Sequence, residues 1–295
     1  MRRQNMSTTF RETAMPVFAT PEPISVQVDL PVGDAWITAT DRADTVVEVR
    51  PRDASSRADV AAAEQTTVEY AAGRLTISAP KNWRRFGLFG TGPSLDLVVH
   101  VPSGSSVQAE ASWAAFRCEG RLGECRLKTG GAVRLDHTGK LDVESSHGEV
   151  VVERVAGSAR VTASSGKVRI GEVDGTTEVK NSSGDCWIGR SGGEVRVKTA
   201  YGDITVDRAL ASVTARTAYG SVRVGEMVSG VVDVETSYGG IEVGVPRGTA
   251  AWLDVRSRRG RVHNALDTTA KPEGDDETVE VHATSSWGDI MIRRA

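Results

Sequence analysis

Asp185 and Asp203 stand 18 residues apart, each directly after a glycine. Two carboxylates brought side by side split their ionisation, so that one can act as an acid and the other as a base. At a separation of about 5 Å the same pair suits retaining glycoside cleavage. Aspartate after glycine is also ordinary turn chemistry. Asp34 and Asp289 repeat it elsewhere, and Lys167 supplies a counter-charge one repeat earlier. Tyr201, Tyr219 and Tyr238 each precede a glycine at nearly the same interval, and Trp287 holds that place before Gly288. If equivalent residues stack, these rings form a ladder along one corner. Such a strip suits a sugar or a partner protein, because tyrosine joins an apolar face to a polar handle. A ladder of this kind also shields the turn and its glycine backbone.

Other reactive residues carry less. Cys118, Cys125 and Cys186 are an odd number, with neither a disulfide framework nor metal-ligand spacing. They suit a reducing compartment, and each falls on an inward position when the repeat is extended. The five histidines show no metal spacing, and no phosphate loop, nucleophile elbow or zinc motif occurs. No cofactor and no metal are therefore expected. Arg256, Arg258, Arg259 and Arg261 form a basic cluster that suits an anionic partner, and the acidic stretch Asp267–Glu277 is the partner favoured for it. Lys81–Pro93 mixes basic and aromatic residues, as membrane or nucleic-acid contacts do. It reads better as a cap tucking Trp83 and Phe86 onto the core. A net charge of −3 lacks the basic excess of a general nucleic-acid binder.

The elements that position these residues come from an internal repeat. Glycines precede apolar alternating pairs at 131, 148, 166, 184, 202, 220, 239, 260 and 288. Four consecutive intervals are 18 residues. A second series, Gly139, Gly157, Gly175 and Gly193, runs half a period out of phase, so each repeat bends at least twice. Between the turns β-branched residues alternate with polar ones, as in Val161, Val179 and Val197 before the glycine and Val168/Ile170 and Ile204/Val206 after it. Period-two alternation means strands with one buried face. One coil of this length cannot bury enough apolar surface to order itself, so neighbouring coils must stack about 4.8 Å apart. A third short stretch, with inward candidates Val155, Val173 and Val245, forms either a third wall or a broad turn. Handedness does not follow from these residues.

The expected fold is all-β, a β-solenoid of about 18 residues per coil with irregular N-terminal coils and a cap. Residues 1–16 are expected to be a disordered tail, since they hold no apolar run of a secretion signal. Residues 17–111 should form the irregular coils and cap. Residues 112–295 should form the regular solenoid, with an acidic insertion at 266–278. ISVQVDL (24–30), Gly33–Ile37, TVVEV (45–49), RLTIS (74–78) and LDLVVHV (95–101) read as strands, and Ser56–Gln65 as a short helix. No run of about 18 apolar residues exists to span a membrane, and the expected location is the cytoplasm. Charges on outer strand positions alternate in sign, as in Asp142, Arg160, Glu178 and Arg196, which pairs neighbouring strands and disfavours a groove for polyanions.

FATPEPISVQVDL, TVVEVRP, CEGRLGECRLKTG and the serial S/T-x-x-G-D-I-x-V turns ending in TSSWGDIMIRR resemble the bacterial "putative adhesin" family of β-strand-repeat domains. The resemblance runs from about Phe18 to Arg294. It implies a β-solenoid and brings no catalytic residues. The expected function is non-catalytic: a binding or scaffolding solenoid presenting Tyr201, Tyr219, Tyr238 and Trp287 to a protein or glycan partner. Two alternatives stand beside it. One is a polysaccharide-processing enzyme using Asp185 and Asp203. The other is a structural element that self-associates through its end coils.

Overall fold

A computed structural model describes residues 15–80, 93–266 and 278–295 of the chain. The expected tail lies almost wholly outside these residues, as do the Trp83/Phe86 cap and the acidic insertion. The rest is a β-solenoid, with every strand part of one 25-stranded sheet nearly closed around an axis.

The 18-residue period becomes vertical register. Leu141 pairs with Ala159, Ala159 with Thr177, Thr177 with Val195 and Val195 with Val213, all in parallel. Val161, Val179 and Val197 form one inward file and are at most 2 % exposed. Each regular coil has two strands, for example Ala159–Ser165 and Val168–Val173. The glycine between them turns the chain from the first wall to the second. The third stretch is the end of the second strand. Ile170 and Val173 both face inward while Gly171 and Glu172 between them face outward. Two outward residues in succession break the strand alternation and bend the strand. Val155, Val173, Ser191, Ala209 and Met227 line the interior beyond this bend.

The N-terminal coils are longer and out of chain order. Residues 25–30 and 33–37 belong to one strand, Ser25–Thr40, not two. On one wall it pairs with Arg74–Ser78, and on the other with Leu95–Pro102. Its opposite edge pairs along nearly its whole length with Ser106–Arg121. Ser25–Thr40 thus lies inside Arg74–Ser78 and Leu95–Pro102 although it precedes both in the chain. Three antiparallel strands close this end. Asp44–Pro51 lies against Leu95–Pro102, Val17–Ala19 against Asp44–Pro51, and Thr67–Ala71 against Arg74–Ser78. The last pair is joined by Ala72 (φ 49°) and Gly73 (φ 74°), a two-residue hairpin turn with both φ positive. The expected helix is Arg57–Gln65, with the Ser56 hydroxyl accepting from the Asp59 amide at 3.3 Å. One buried apolar cluster runs from Ile24 to Ile292, and the strand Ser106–Arg121 carries it across the 111/112 boundary.

The far end makes the same exchange. Thr278–Trp287 pairs with Gly230–Tyr238 on one side and Ala250–Arg259 on the other. The glycine series therefore does not give the layer order: the Gly288 coil lies between those of Gly239 and Gly260. At both ends a segment nearer the terminus lies inside one nearer the middle of the chain, where neighbours satisfy both its edges.

Candidate functional site

The corner between the walls is built by three files of residues. The first is glycine. At Gly220 φ is +150°, and an added Cβ would lie 2.1 Å from the Gly202 carbonyl oxygen. Gly202, Gly239 and Gly288 repeat that approach, each to the glycine one layer below. The second file is the Ser/Thr three residues before the glycine, and it explains the S/T-x-x-G motif. Its side chains face inward and donate to the glycine carbonyls of the adjacent layer: Thr217 to Gly202 at 3.1 Å, Thr236 to Gly220 at 2.8 Å and Ser285 to Gly239 at 3.0 Å. Buried carbonyls at the bend thereby keep a donor.

Two members depart from this file, Ala163, which has no donor, and Asn181. Asn181 Nδ2 donates to the Gly166 and Gly184 carbonyls at 2.9 and 3.1 Å, while its buried Oδ1 has no partner. A buried unpaired acceptor costs about 1–3 kcal/mol. Asn181→Thr keeps the donor to Gly166, removes the orphaned oxygen and matches Thr199 and Thr217. A gain of about 1 kcal/mol is expected in urea denaturation; unchanged or reduced stability would show that Oδ1 is not the cost.

The third file contains the aspartates. Asp185 Oδ1 accepts from the Asp203 amide at 3.2 Å, and Asp203 Oδ1 from the Ser221 amide at 2.7 Å. Asp289 takes the Arg261 amide at 2.8 Å and Asp34 the Ala115 amide at 3.4 Å. Lys167 Nζ lies 3.5 Å from Asp185 Oδ2. The two carboxylates are brought to adjacent layers as expected. Each is engaged by the backbone of the next layer, as are Asp34 and Asp289 far from them.

The aromatic residues do form a ladder. Tyr201 and Tyr219 have ring centroids 5.1 Å apart and planes within 6°; Tyr219 and Tyr238 are at 4.9 Å and 1°. Tyr238 meets Trp287 at 6.1 Å and 12°, because the exchanged layer order places Trp287 directly beside it. The file ends on Arg259, whose guanidinium carbon lies 4.2 Å from the Trp287 ring centre. Chain order concealed Arg259's place, since it precedes Trp287 in sequence but lies one layer beyond it. The four rings are 45–58 % exposed, high for such large side chains. Their faces are spent on one another, so solvent meets mainly ring edges and hydroxyl groups. In the other direction the file continues through Ser183, Ser165 and His147, whose ring is 5.5 Å from Trp113.

The outer walls carry charges of both signs in each file. Arg126 pairs with Asp142 at 3.7 Å and Arg160 with Glu178 at 3.1 Å. Lys128 sits between Glu110 and Glu144, at 3.9 and 3.8 Å. These exposed pairs are worth a few tenths of a kcal/mol to about 1 each, and they set register more than strength. In the basic cluster Arg256 meets Asp254 at 3.0 Å; the expected partner stretch 267–277 is outside the described residues. All three cysteines are buried and unpaired. Burial pushes the thiols of Cys125 and Cys186 up to about 11, and that of Cys118 well above its ordinary value. Among the described residues no group of three or more His, Cys, Asp or Glu could hold a metal, and no helix is long and apolar enough to cross a membrane.

Comparison with known proteins gives the same architecture a family. No curated protein matches the chain. A "putative cell adhesion protein" of Clostridium sporogenes is similar at 12 % identity, over 96 % of this chain and 99 % of its own, with a TM-score of 0.23. A "putative lipid binding protein" of Parabacteroides distasonis is similar at 11 % identity, over 94 % and 96 %, with a TM-score of 0.42. A "putative adhesin" of Parabacteroides merdae is similar at 12 % identity, over 95 % of each chain, with a TM-score of 0.39. The profile of the Toastrack DUF4097 domain matches residues 37–294, which takes in almost every layer of the stack. The resemblance carried by the serial glycine turns is thereby borne out, and the chain belongs to the Toastrack DUF4097 family.

Proposed function

We propose that the protein is a non-catalytic scaffold that binds a partner protein along the corner file of Tyr201, Tyr219, Tyr238 and Trp287. One observation carries the reading: four aromatic rings, about half exposed, are held parallel on a rigid stack. Aromatic side chains lose little entropy on binding and dominate protein contact energies. A sugar platform needs open ring faces, whereas here the faces are stacked and the edges are offered, which favours a protein surface over a glycan. The Asp185–Asp203 pair is assigned to holding adjacent layers together, on the strength of its bonds to the Asp203 and Ser221 amides. Adhesion, the role in the names of some structural relatives, is one form such binding takes.

The test is affinity purification from the native cell with the wild type and with the double variant Tyr219→Ala/Tyr238→Ala. The double variant should keep its far-ultraviolet signature and lose about 1.5–4.5 kcal/mol of stability, at about 0.5–1.5 kcal/mol for each of the three ring pairs broken. At least one specific partner should be lost with it. Identical partner profiles for the two proteins would remove the ladder from the function. Retention on a glycan array that is lost in the double variant would replace the protein partner with a sugar.

A further inference from the structure

The two ends of the stack differ. Antiparallel strands and a helix close the N-terminal end. At the other end the last layer, Ala250–Arg259 with Val262–Asn264, pairs on one edge only among the described residues. Its inward residues Ala251, Leu253 and Val255 are only partly buried, whereas Val279, Val281 and Ala283 one layer inside are at most 1 % exposed. Trp252 is 57 % and Val262 47 % exposed at the same end. An open strand edge over an open apolar interior is a pairing surface.

We propose that this layer joins two copies of the chain end to end in a closed two-fold dimer, with Ala250–Arg259 antiparallel to its counterpart and centred on Val255. The Arg259 carbonyl accepts from the Gly288 amide at 3.2 Å, on the inner side of the layer. Strand alternation then directs the backbone groups of Trp252, Asp254, Arg256 and Arg258 towards the open edge. Centring on Val255 sets these even-numbered residues against one another. Asp254 falls opposite Arg256 of the second copy, and Trp252 opposite Arg258 of the second copy. The pairs are opposite charge and cation over indole, and two-fold symmetry makes each twice. Centring on Leu253 would set Trp252 against Asp254, and centring on Ser257 would set Arg256 against Arg258, so charge selects the register. The ion pair between Asp254 and Arg256 within one chain lies on the exposed outer face, free to exchange partners. Closure of the N-terminal end stops the contact from propagating into a filament, and assembly ends at two chains.

Sedimentation of the full chain over a concentration series tests this. A mass rising to two chains and levelling there is expected. Arg256→Asp should weaken association about a hundredfold, because each dimer then holds two facing acidic pairs. Asp254→Arg should do the same, and the exchanged double variant D254R/R256D should restore the dimer. A wild type that stays monomeric overturns the proposal. So does a monomer that dimerises only when residues 267–277 are deleted, since that segment would then be the cover. Growth beyond two chains, or a double variant no better than either single one, also overturns it.

Discussion

Gly220→Ala should destabilise the protein by about 3–5 kcal/mol in urea denaturation, far more than an added methyl group ordinarily does. Two costs coincide. The φ of +150° is one that a side-chain-bearing residue rarely adopts, which costs on the order of 1–3 kcal/mol. The added Cβ would also meet the Gly202 carbonyl oxygen at 2.1 Å and its carbon at 2.5 Å. Both are backbone atoms of the layer below, so no rotamer change relieves the contact. Relief requires the layers to separate at this corner. That strains the bonds from the Gly202 amide to Tyr219 at 2.8 Å and from the Gly220 amide to Tyr238 at 2.9 Å. Gly248 supplies the control. Its φ is +87°, but an added Cβ would meet nothing within 4 Å, so Gly248→Ala should show the conformational cost alone, about 1 kcal/mol. Equal losses in the two variants would mean that layer spacing at the corner is softer than the glycine file implies.

Raising the pH above about 9 should erode stability by roughly 5 kcal/mol through Cys125 and Cys186 alone, and further through Cys118. The cause is burial. Both thiols are held at about 11 in the folded chain against an ordinary 9.0, and burial holds Cys118 well above its ordinary value. A raised value means that the folded state keeps the proton when the unfolded chain has lost it. The contribution is therefore whole below about 9, falls as pH rises between about 9 and 11, and is gone above the folded value. A rise from 9.0 to about 11 corresponds to about 2–3 kcal/mol per thiol. Tyrosines and lysines also titrate in this range, so the measurement is a difference. Denaturation at pH 7, 9, 10 and 11 should show a steeper loss in the wild type than in C118A/C125A/C186V. Valine suits position 186 because its file neighbours are Val168 and Ile204. Parallel curves would mean that the thiols reach solvent. The same burial predicts little maleimide labelling of the folded chain at neutral pH.

The repeat made much of this molecule legible in advance. An inward residue 18 positions from another of its kind has one place to go, so Val161, Val179 and Val197 follow from alternation plus period. Corner glycines, the stacked tyrosines and the buried cysteines follow from the same register. N-terminal strands were legible as strands, but their joining was not. The corner falls at Gly33 (φ +142°), where the glycine turns would place it, yet the chain passes through it as one continuous strand, Ser25–Thr40.

Layer order at the ends lay beyond the sequence. Glycine spacing specifies where a coil bends, a property of local backbone sterics. It does not specify which coil lies above, because successive layers offer nearly the same parallel edge. That choice depends on burial summed over a whole layer. The coil carrying Val279, Val281, Ala283, Ile290 and Ile292 gains most from neighbours on both sides, and it lies inside. The coil carrying four arginines and Asn264 loses least at the end, and it lies outside. This exchange brings Trp287 against Tyr238 and Arg259 against Trp287, and among the described residues it leaves the edge at Val255 unpaired. The sequence by itself determined the coil, its walls and its corners, because those are set by neighbours in the chain and by the period. Only the tertiary structure decided which layers touch, because that is settled by comparing the burial of whole coils.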